Sequence, residues 1–261
     1  MPSDAPAYAA VALAGGALED DFRDAGYDVV NKAYLTIGDS TMLERVLRAL
    51  HGASSVARIR CVTQAEPFRS AFGDAGAMGI EVVPPGDDLI ESVLAGFEGL
   101  DPSAMVLACA TDIPLATSAA IDGFARKASG VSCDVGYGYV SRTAHERAYP
   151  QIRHTWVRLR EGTFCGSGIS VLRAGAVAPL AASLRKIVAA RKSPLRLASL
   201  ISPWLILRLL VGTVGIPELE QRGSRILGVQ ARGILADDPA LAVNVDRLED
   251  LKAVEAIVNK P

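Results

Sequence analysis

An apolar run from Tyr8 to Leu13 breaks on two consecutive glycines, Gly15 and Gly16, and this junction constrains the fold more than any other stretch. A short, continuous apolar run bounded by a turn reads as a strand buried on both faces, the kind found in parallel sheets. Glycine reaches φ > 0 freely and lets a ligand come close to the backbone. N–H groups exposed in such a turn form a concave anion site suited to nucleotide phosphates. Leu13, Ala14, Gly15 and Gly16 are therefore candidate phosphate-binding residues, with an ordinary turn as the alternative. Lys32 lies beyond an acidic, glycine-containing loop (Glu19, Asp20, Asp21, Asp24, Gly26) and is placed to return a positive charge to those phosphates.

The chain then alternates strand and helix. Met42, Val46, Leu47 and Leu50 recur at helical spacing, predicting a helix from Thr41 to His51. Strands are expected at Arg58–Thr63, Ile80–Val83 and Met105–Ala110, the last central in the sheet because it is continuously apolar. Helices are expected over Pro67–Ala75 and from Asp88 through Phe97, with another from Ser118 to Lys127. Such alternation predicts an α/β fold with a Rossmann-like, mostly parallel sheet flanked by helices. Ligands of these sheets bind beyond the carboxyl ends of the strands. That rule gathers Gly15, Gly16, Gly86 with the neighbouring Asp88, and Thr111-Asp112-Ile113-Pro114 around one crevice. Asp112 has two readings of equal weight, a ligand of Mg²⁺ against nucleotide phosphates or an N-cap of the following helix.

From Cys133 the pattern changes. Strands are expected at Gly136–Val140, Thr155–Leu159 and Phe164–Leu172, with a polar loop through His145, Glu146, Arg147, Tyr149 and Pro150. Gly166-Ser167-Gly168 inside a strand marks either a close ligand approach or a bend. His51, His145 and His154 have no motif partner and read as surface or packing residues. Between Leu184 and Leu235 there are nine Lys/Arg against two Glu. Within it Arg185, Lys186, Arg191, Lys192 and Arg196 precede an apolar block, Leu197–Val211, which Ser202-Pro203 divides into two short helices. Near the end, Asn244 and Asp246 lie two apart and share a face if the segment is a strand, while Asp246 with Glu249 also fits a capping box.

The 261 residues read as one domain, a nucleotide-binding half over 1–130 and an acceptor-binding half over 131–261 with a helical insertion near 180–225. A net charge of −2 and a pI near 6 give no reason to expect nucleic acid as a partner. Cys61, Cys109, Cys133 and Cys165 are scattered, without a CxxC pair, and read as buried small hydrophobes in a reducing compartment. With neither a signal-peptide start nor an apolar stretch long enough to span a bilayer, a cytoplasmic globular protein is expected.

Taken together, Leu-Ala-Gly-Gly near the start, a lysine before Leu-x-Ile-Gly, Asp-Ile-Pro after the central strand and Asn-Val-Asp-x-x-x-Asp-Leu near the end resemble the MobA-like nucleotidyltransferases. The resemblance runs in order over nearly the whole chain and extends to Arg158–Phe164, Gly166-Ser167-Gly168 and Arg191–Pro194. It implies a GT-A-like fold and transfer of a nucleoside monophosphate from an NTP to a phosphorylated acceptor, with release of pyrophosphate. Carried over, Gly15 and Gly16 hold the triphosphate, Lys32 neutralises it, Asp112 and Asp246 bind Mg²⁺, and Gly166 and Gly168 border the acceptor. Such chemistry asks mainly for positioning and charge neutralisation, so a lysine, a metal and backbone donors suffice. The chain departs from the family pattern in its loop: the first basic residue after the glycines is Arg23, and the stretch to Lys32 is long and acidic.

Two other functions fit the same pattern less well. A nucleotide-sugar glycosyltransferase of this fold commonly carries Asp-x-Asp after its central strand, where this chain has the single acid of Thr111-Asp112-Ile113. A catalytically inactive nucleotide-binding module would explain the acidic loop but not the retention of Lys32, Asp112 and Asp246 together. The acceptor remains open between a small-molecule phosphate and a lipid phosphate. For residues 195–211 two placements are weighed, packing onto the sheet or a second subunit of a homodimer, and peripheral contact with a membrane.

Overall fold

The computed structural model describes residues 7–73, 79–190 and 203–259. Four parallel strands form one side of the sheet: β1 (Tyr8–Leu13), β4 (Val56–Val62), β5 (Ile80–Val83) and β6 (Met105–Ala110). On the other side lie β7 (Val135–Ser141), β8 (Val157–Leu159), β9 (Gly162–Arg173) and β10 (Ala231–Leu235). The order is β10-β7-β9-β6-β1-β4-β5, with β8 paired to β9. Among the described residues only β9 runs against its neighbours in this sheet, pairing antiparallel with β6, β7 and β8, so the sheet is mostly parallel with one reversed strand. β2 (Thr36–Ile37) and β3 (Ser40–Thr41) make a separate small hairpin.

β1 carries no alternation because both its faces are covered. Ala10 and Ala12 face a core built with α2 (Met42–His51), α3 (Ala65–Phe72) and α5 (Ser118–Ser129). Ala9 and Val11 face a second core with α4 (Leu89–Phe97) and α7 (Val177–Ala190). A Cβ on Gly96 would lie 2.6 Å from Val11 and 2.8 Å from Val62, so glycine is what lets α4 sit this close to the sheet. Truncating a fully buried side chain such as Leu47 to alanine is expected to cost about 2–5 kcal/mol. All four cysteines are buried free thiols, and burial pushes Cys61 and Cys109 up to about 12.

Several sequence expectations are corrected. The stretch expected as a polar loop contains a helix, α6 (Arg142–Ala148), whose N-cap Ser141 hydroxyl accepts from the Ala144 N–H. α5 is capped by Thr117, not by Asp112, which leaves the Asp112 carboxylate free of that duty. The final helix α10 (Leu248–Val258) has Arg247 at its N-cap, and its first turn is closed by Asp250, which accepts from the Asp246 and Arg247 N–H groups. The capping box that Asp246 and Glu249 also fitted is therefore formed by Arg247 and Asp250 instead. Asn244 and Asp246 lie in a loop after a short 3₁₀ turn (Pro239–Ala242), not on a strand. Of the two helices expected in the apolar block, α8 (Pro203–Leu210) is present, while residues 191–202, which include Arg191, Lys192, Arg196 and Ser202, lie outside the described residues. α9 (Ile216–Leu227) then leads into β10.

Candidate active site

The loop after β1 is braced from two distant segments. The Thr111 hydroxyl donates to the Leu13 carbonyl at 2.9 Å, tying the ends of β1 and β6. The Asn31 amide donates to the Ala14 carbonyl at 2.9 Å, while its oxygen accepts from the Ala33 N–H. Gly16 has φ +103° and open space where a side chain would lie, a conformation that disfavours other residues. Gly15 is different: a Cβ there would lie 3.2 Å from Pro85 and 3.3 Å from the Ser92 hydroxyl. Gly86 is glycine for packing, since a Cβ would lie 2.2 Å from that of Glu91, and its N–H donates to Ser92. Asp88 caps α4 by accepting from the Glu91 N–H. Thr111, Gly86 and Asp88 thus shape the crevice wall.

The long acidic loop is folded. Its one-turn helix α1 (Asp20–Asp24) buries Phe22 beside Leu18, against Ile37, Met42, Val245, Leu251 and Val254. Asp21 accepts from the Leu248 N–H at 3.0 Å, binding the loop to the start of α10. Arg23 stays within its own loop, paired with Asp20 at 2.8 Å and donating to the Leu18 carbonyl. The extra residues therefore pack against the C-terminal segment without displacing Lys32 from the crevice.

There Lys32 meets the two acids carried over from the resemblance. Its Nζ lies 2.7 Å from Asp112 Oδ2 and 2.7 Å from Asp246 Oδ1, and 3.6 Å from Glu19 Oε1. Burial alone would lower the ammonium pKa, but the Asp112 charge and the hydrogen bonds to Asp112 and Asp246 outweigh it and hold Lys32 above its ordinary value. Asn244 completes the group, its amide donating to Asp112 Oδ1 at 3.3 Å, and the Val245 N–H donates to the Asp112 carbonyl. Sequence reasoning placed Lys32 on the triphosphate; in this ligand-free arrangement it stands between the carboxylates. It also missed Glu19, Asn31 as a brace, and the contact of Asn244 with Asp112.

A divalent cation fits this donor set. Two carboxylates against one ammonium leave a negative balance, and Glu19 adds another acid whose Oε2 is buried without a hydrogen-bond partner. Among the described residues no group of three His, Cys, Asp or Glu side chains forms a complete metal cage. Mg²⁺ does not need one, because it is commonly held by one or two carboxylates, water and substrate phosphates.

Gly166 and Gly168 are explained by packing. A Cβ on Gly166 would lie 1.9 Å from the Tyr137 hydroxyl, and one on Gly168 would lie 2.5 Å from Ile113, the residue after Asp112. The β7–β9 register shifts here, between Tyr137 and Tyr139. His145 is fully buried, 3.0 Å from His154 through their Nε2 atoms, with Trp156 beside both. Burial, then the proximity of His154, lowers His145 to about 4.

Residues 10–194 match the MobA-like NTP transferase domain family. A solved structure of a hypothetical transferase from Thermus thermophilus is similar at 32% identity and TM-score 0.80, covering 94% of this chain and 99% of that one. Two other solved structures share the fold at TM-score 0.55. One, 4-diphosphocytidyl-2C-methyl-D-erythritol synthase, is 17% identical, with coverage of 97% of this chain and 99% of that one. The other, CMP:2-keto-3-deoxy-manno-octonic acid synthetase complexed with CTP, is 12% identical, with coverage of 97% and 98%. No curated protein matches the chain.

Proposed function

This chain belongs to the MobA-like NTP transferase domain family, and from that premise we propose that it is a Mg²⁺-dependent nucleotidyltransferase acting on a phosphorylated acceptor. The observation that carries the reading is the meeting of Lys32, Asp112 and Asp246 beside the Gly15-Gly16 loop at the carboxyl end of the central strands. In the proposed reaction an oxygen of the acceptor phosphate attacks the α-phosphorus of the NTP. The bond from that phosphorus to its bridging oxygen breaks, and pyrophosphate leaves with the electron pair. Mg²⁺, held by Asp112 and Asp246, would supply charge neutralisation and orientation of phosphate oxygens. The Gly15-Gly16 turn offers backbone N–H groups to the triphosphate. Lys32 balances the carboxylates in the free protein and has the phosphates as its alternative partner once nucleotide enters. Asn244 holds the Asp112 carboxylate in orientation through its amide.

The test is pyrophosphate release with each of the four NTPs, Mg²⁺ and a panel of sugar, alcohol and alkyl phosphates. Release that requires both NTP and acceptor supports the reading. Transfer of sugar from a nucleotide sugar without pyrophosphate release would replace it with the glycosyltransferase alternative.

A further inference from the structure

A second cavity, of about 290 Å³, opens on the far side of Gly166, between β7, β8, β9, β10 and α9. Tyr137, Tyr139, Val157, Phe164, Ile216 and Leu219 line it. Two glycines shape its floor: Gly166 leaves room for Tyr137, and a Cβ on Gly233 would lie 2.8 Å from the Tyr139 ring. Tyr139 in turn stands edge-on to Phe164 at 5.2 Å. The charged side chains on its wall, Glu220 and Arg232, have partners already. Glu220 accepts from the Gly233 N–H at 2.8 Å, and Arg232 donates to the Ala231 carbonyl.

A sugar needs convergent donors and acceptors, and a site that offers few of them selects for apolar groups instead. Phe164, Ile216 and Leu219 also pack on the small cluster of Leu159, Leu205 and Val214. Leu205 belongs to α8, whose Trp204, Leu207 and Leu210 are exposed, so an apolar surface continues outward from the cavity wall. On the same strand, two residues beyond Gly166, Gly168 packs on Ile113, the residue after Asp112.

We propose that this cavity receives the hydrocarbon part of the acceptor, which makes the acceptor an alkyl or prenyl phosphate, not a sugar phosphate. The assignment rests on the nucleotidyltransferase reading above. A direct test is calorimetric titration of the full chain with decyl phosphate below its critical micelle concentration, and with glycerol 3-phosphate. Decyl phosphate should bind at least tenfold more tightly. Val157→Asp, which puts a charge on the rim from a half-exposed strand, and Val157→Phe, which fills the space without a charge, should each weaken it tenfold or more while leaving NTP binding unchanged.

Equal binding of the two phosphates, or unchanged decyl phosphate binding in both variants, would overturn the proposal. Pyrophosphate release with glycerol 3-phosphate but not with decyl phosphate would also overturn it, leaving the nucleotidyltransferase reading intact. Conversely, decyl phosphate binding that depends on Val157, with no pyrophosphate release from any NTP and acceptor, would sustain the apolar site and overturn that reading. Flotation with phosphatidylcholine vesicles carrying decyl phosphate distinguishes a bilayer-borne source from a free one, and binding in either arm supports the same occupant.

Discussion

The Lys32 centre and the apolar cavity are built on opposite principles. Around Lys32, position is enforced by directional bonds from remote segments: Thr111 and Asn31 onto the β1 loop, Asn244 and Val245 onto Asp112, Asp21 onto α10. Around Tyr137 and Phe164, position is enforced by volume, through glycines that make room for rings and a small apolar cluster behind them. Charge held by hydrogen bonds tolerates little change, because a removed partner leaves a polar group unsatisfied. A wall of side chains held by packing tolerates volume-conserving exchange at under about 1.5 kcal/mol. The architecture thus separates a polar centre that resists substitution from an apolar wall that can be recut for a different ligand.

Replacing Asp112 tests the first half of that contrast most severely. Asp112→Asn keeps the shape and removes the charge, so turnover should fall by about two to three orders of magnitude, by the scale of lost electrostatic stabilisation in polar sites, with the melting temperature nearly unchanged. Near-normal turnover at saturating Mg²⁺ would break the contrast, because the centre would then tolerate change as the wall does.

Lys32→Ala sharpens it. Removing the ammonium leaves Asp112 and Asp246 facing each other, so turnover should drop by about tenfold to a hundredfold, the scale of one lost ionic contact. Mg²⁺ should then raise the melting temperature of the variant more than that of the wild type, since the ion no longer competes with Lys32 for the carboxylates. An equal Mg²⁺ response in both proteins would remove Lys32 from the cation site.

Gly168→Ala joins the two halves, because its methyl would collide with Ile113 next to Asp112. Overpacking of this kind is expected to cost about 1–3 kcal/mol, readable in urea denaturation. Ile113→Ala removes the Cγ2 that the new methyl would meet, so the double variant should lose less stability than the sum of the two single costs, and an additive pair would show that the two residues do not communicate.

The smallest effect concerns His145, which is held neutral with its pKa lowered to about 4. Between that value and the ordinary 6.5 the unfolded chain binds more protons than the folded one. Stability therefore falls as pH drops through this window, by at most about 1.4 kcal/mol per pH unit. His145→Gln should flatten that part of the melting profile, and an unchanged slope would assign the loss to other groups.

Much of this was legible in the residues and some was not, for physical reasons. β1 and β6 announced themselves because strands covered on both faces need continuous apolar runs, and their ends were marked by Gly15-Gly16 and Asp112. α6 was hidden because it buries little besides His145, so its sequence has no apolar stripe. Asp246 looked like a cap because a carboxylate ahead of a helix can always serve as one; only the fold reveals that Asp250 does so and that Asp246 turns to Lys32. Gly166 and Gly168 carried no sign of which side chain would need their space, because Tyr137 and Ile113 reach them from other strands and loops. Glu19 and Asn31 were in view but roleless, since their partners come from elements far along the chain.

The reach of Lys32 across 214 positions to Asp246 has a bearing on how the protein is made. The family match ends at residue 194, so the acid that completes the centre lies beyond it, in a segment made long after Lys32. A nascent chain can form the β1 loop and present Asp112 early, yet Asn244, the partner of Asp112, arrives 132 positions later, with Val245 and Asp246 directly behind it. Until then Lys32 and Asp112 pair without their third member, so the charge centre closes only after every strand of the sheet has been made.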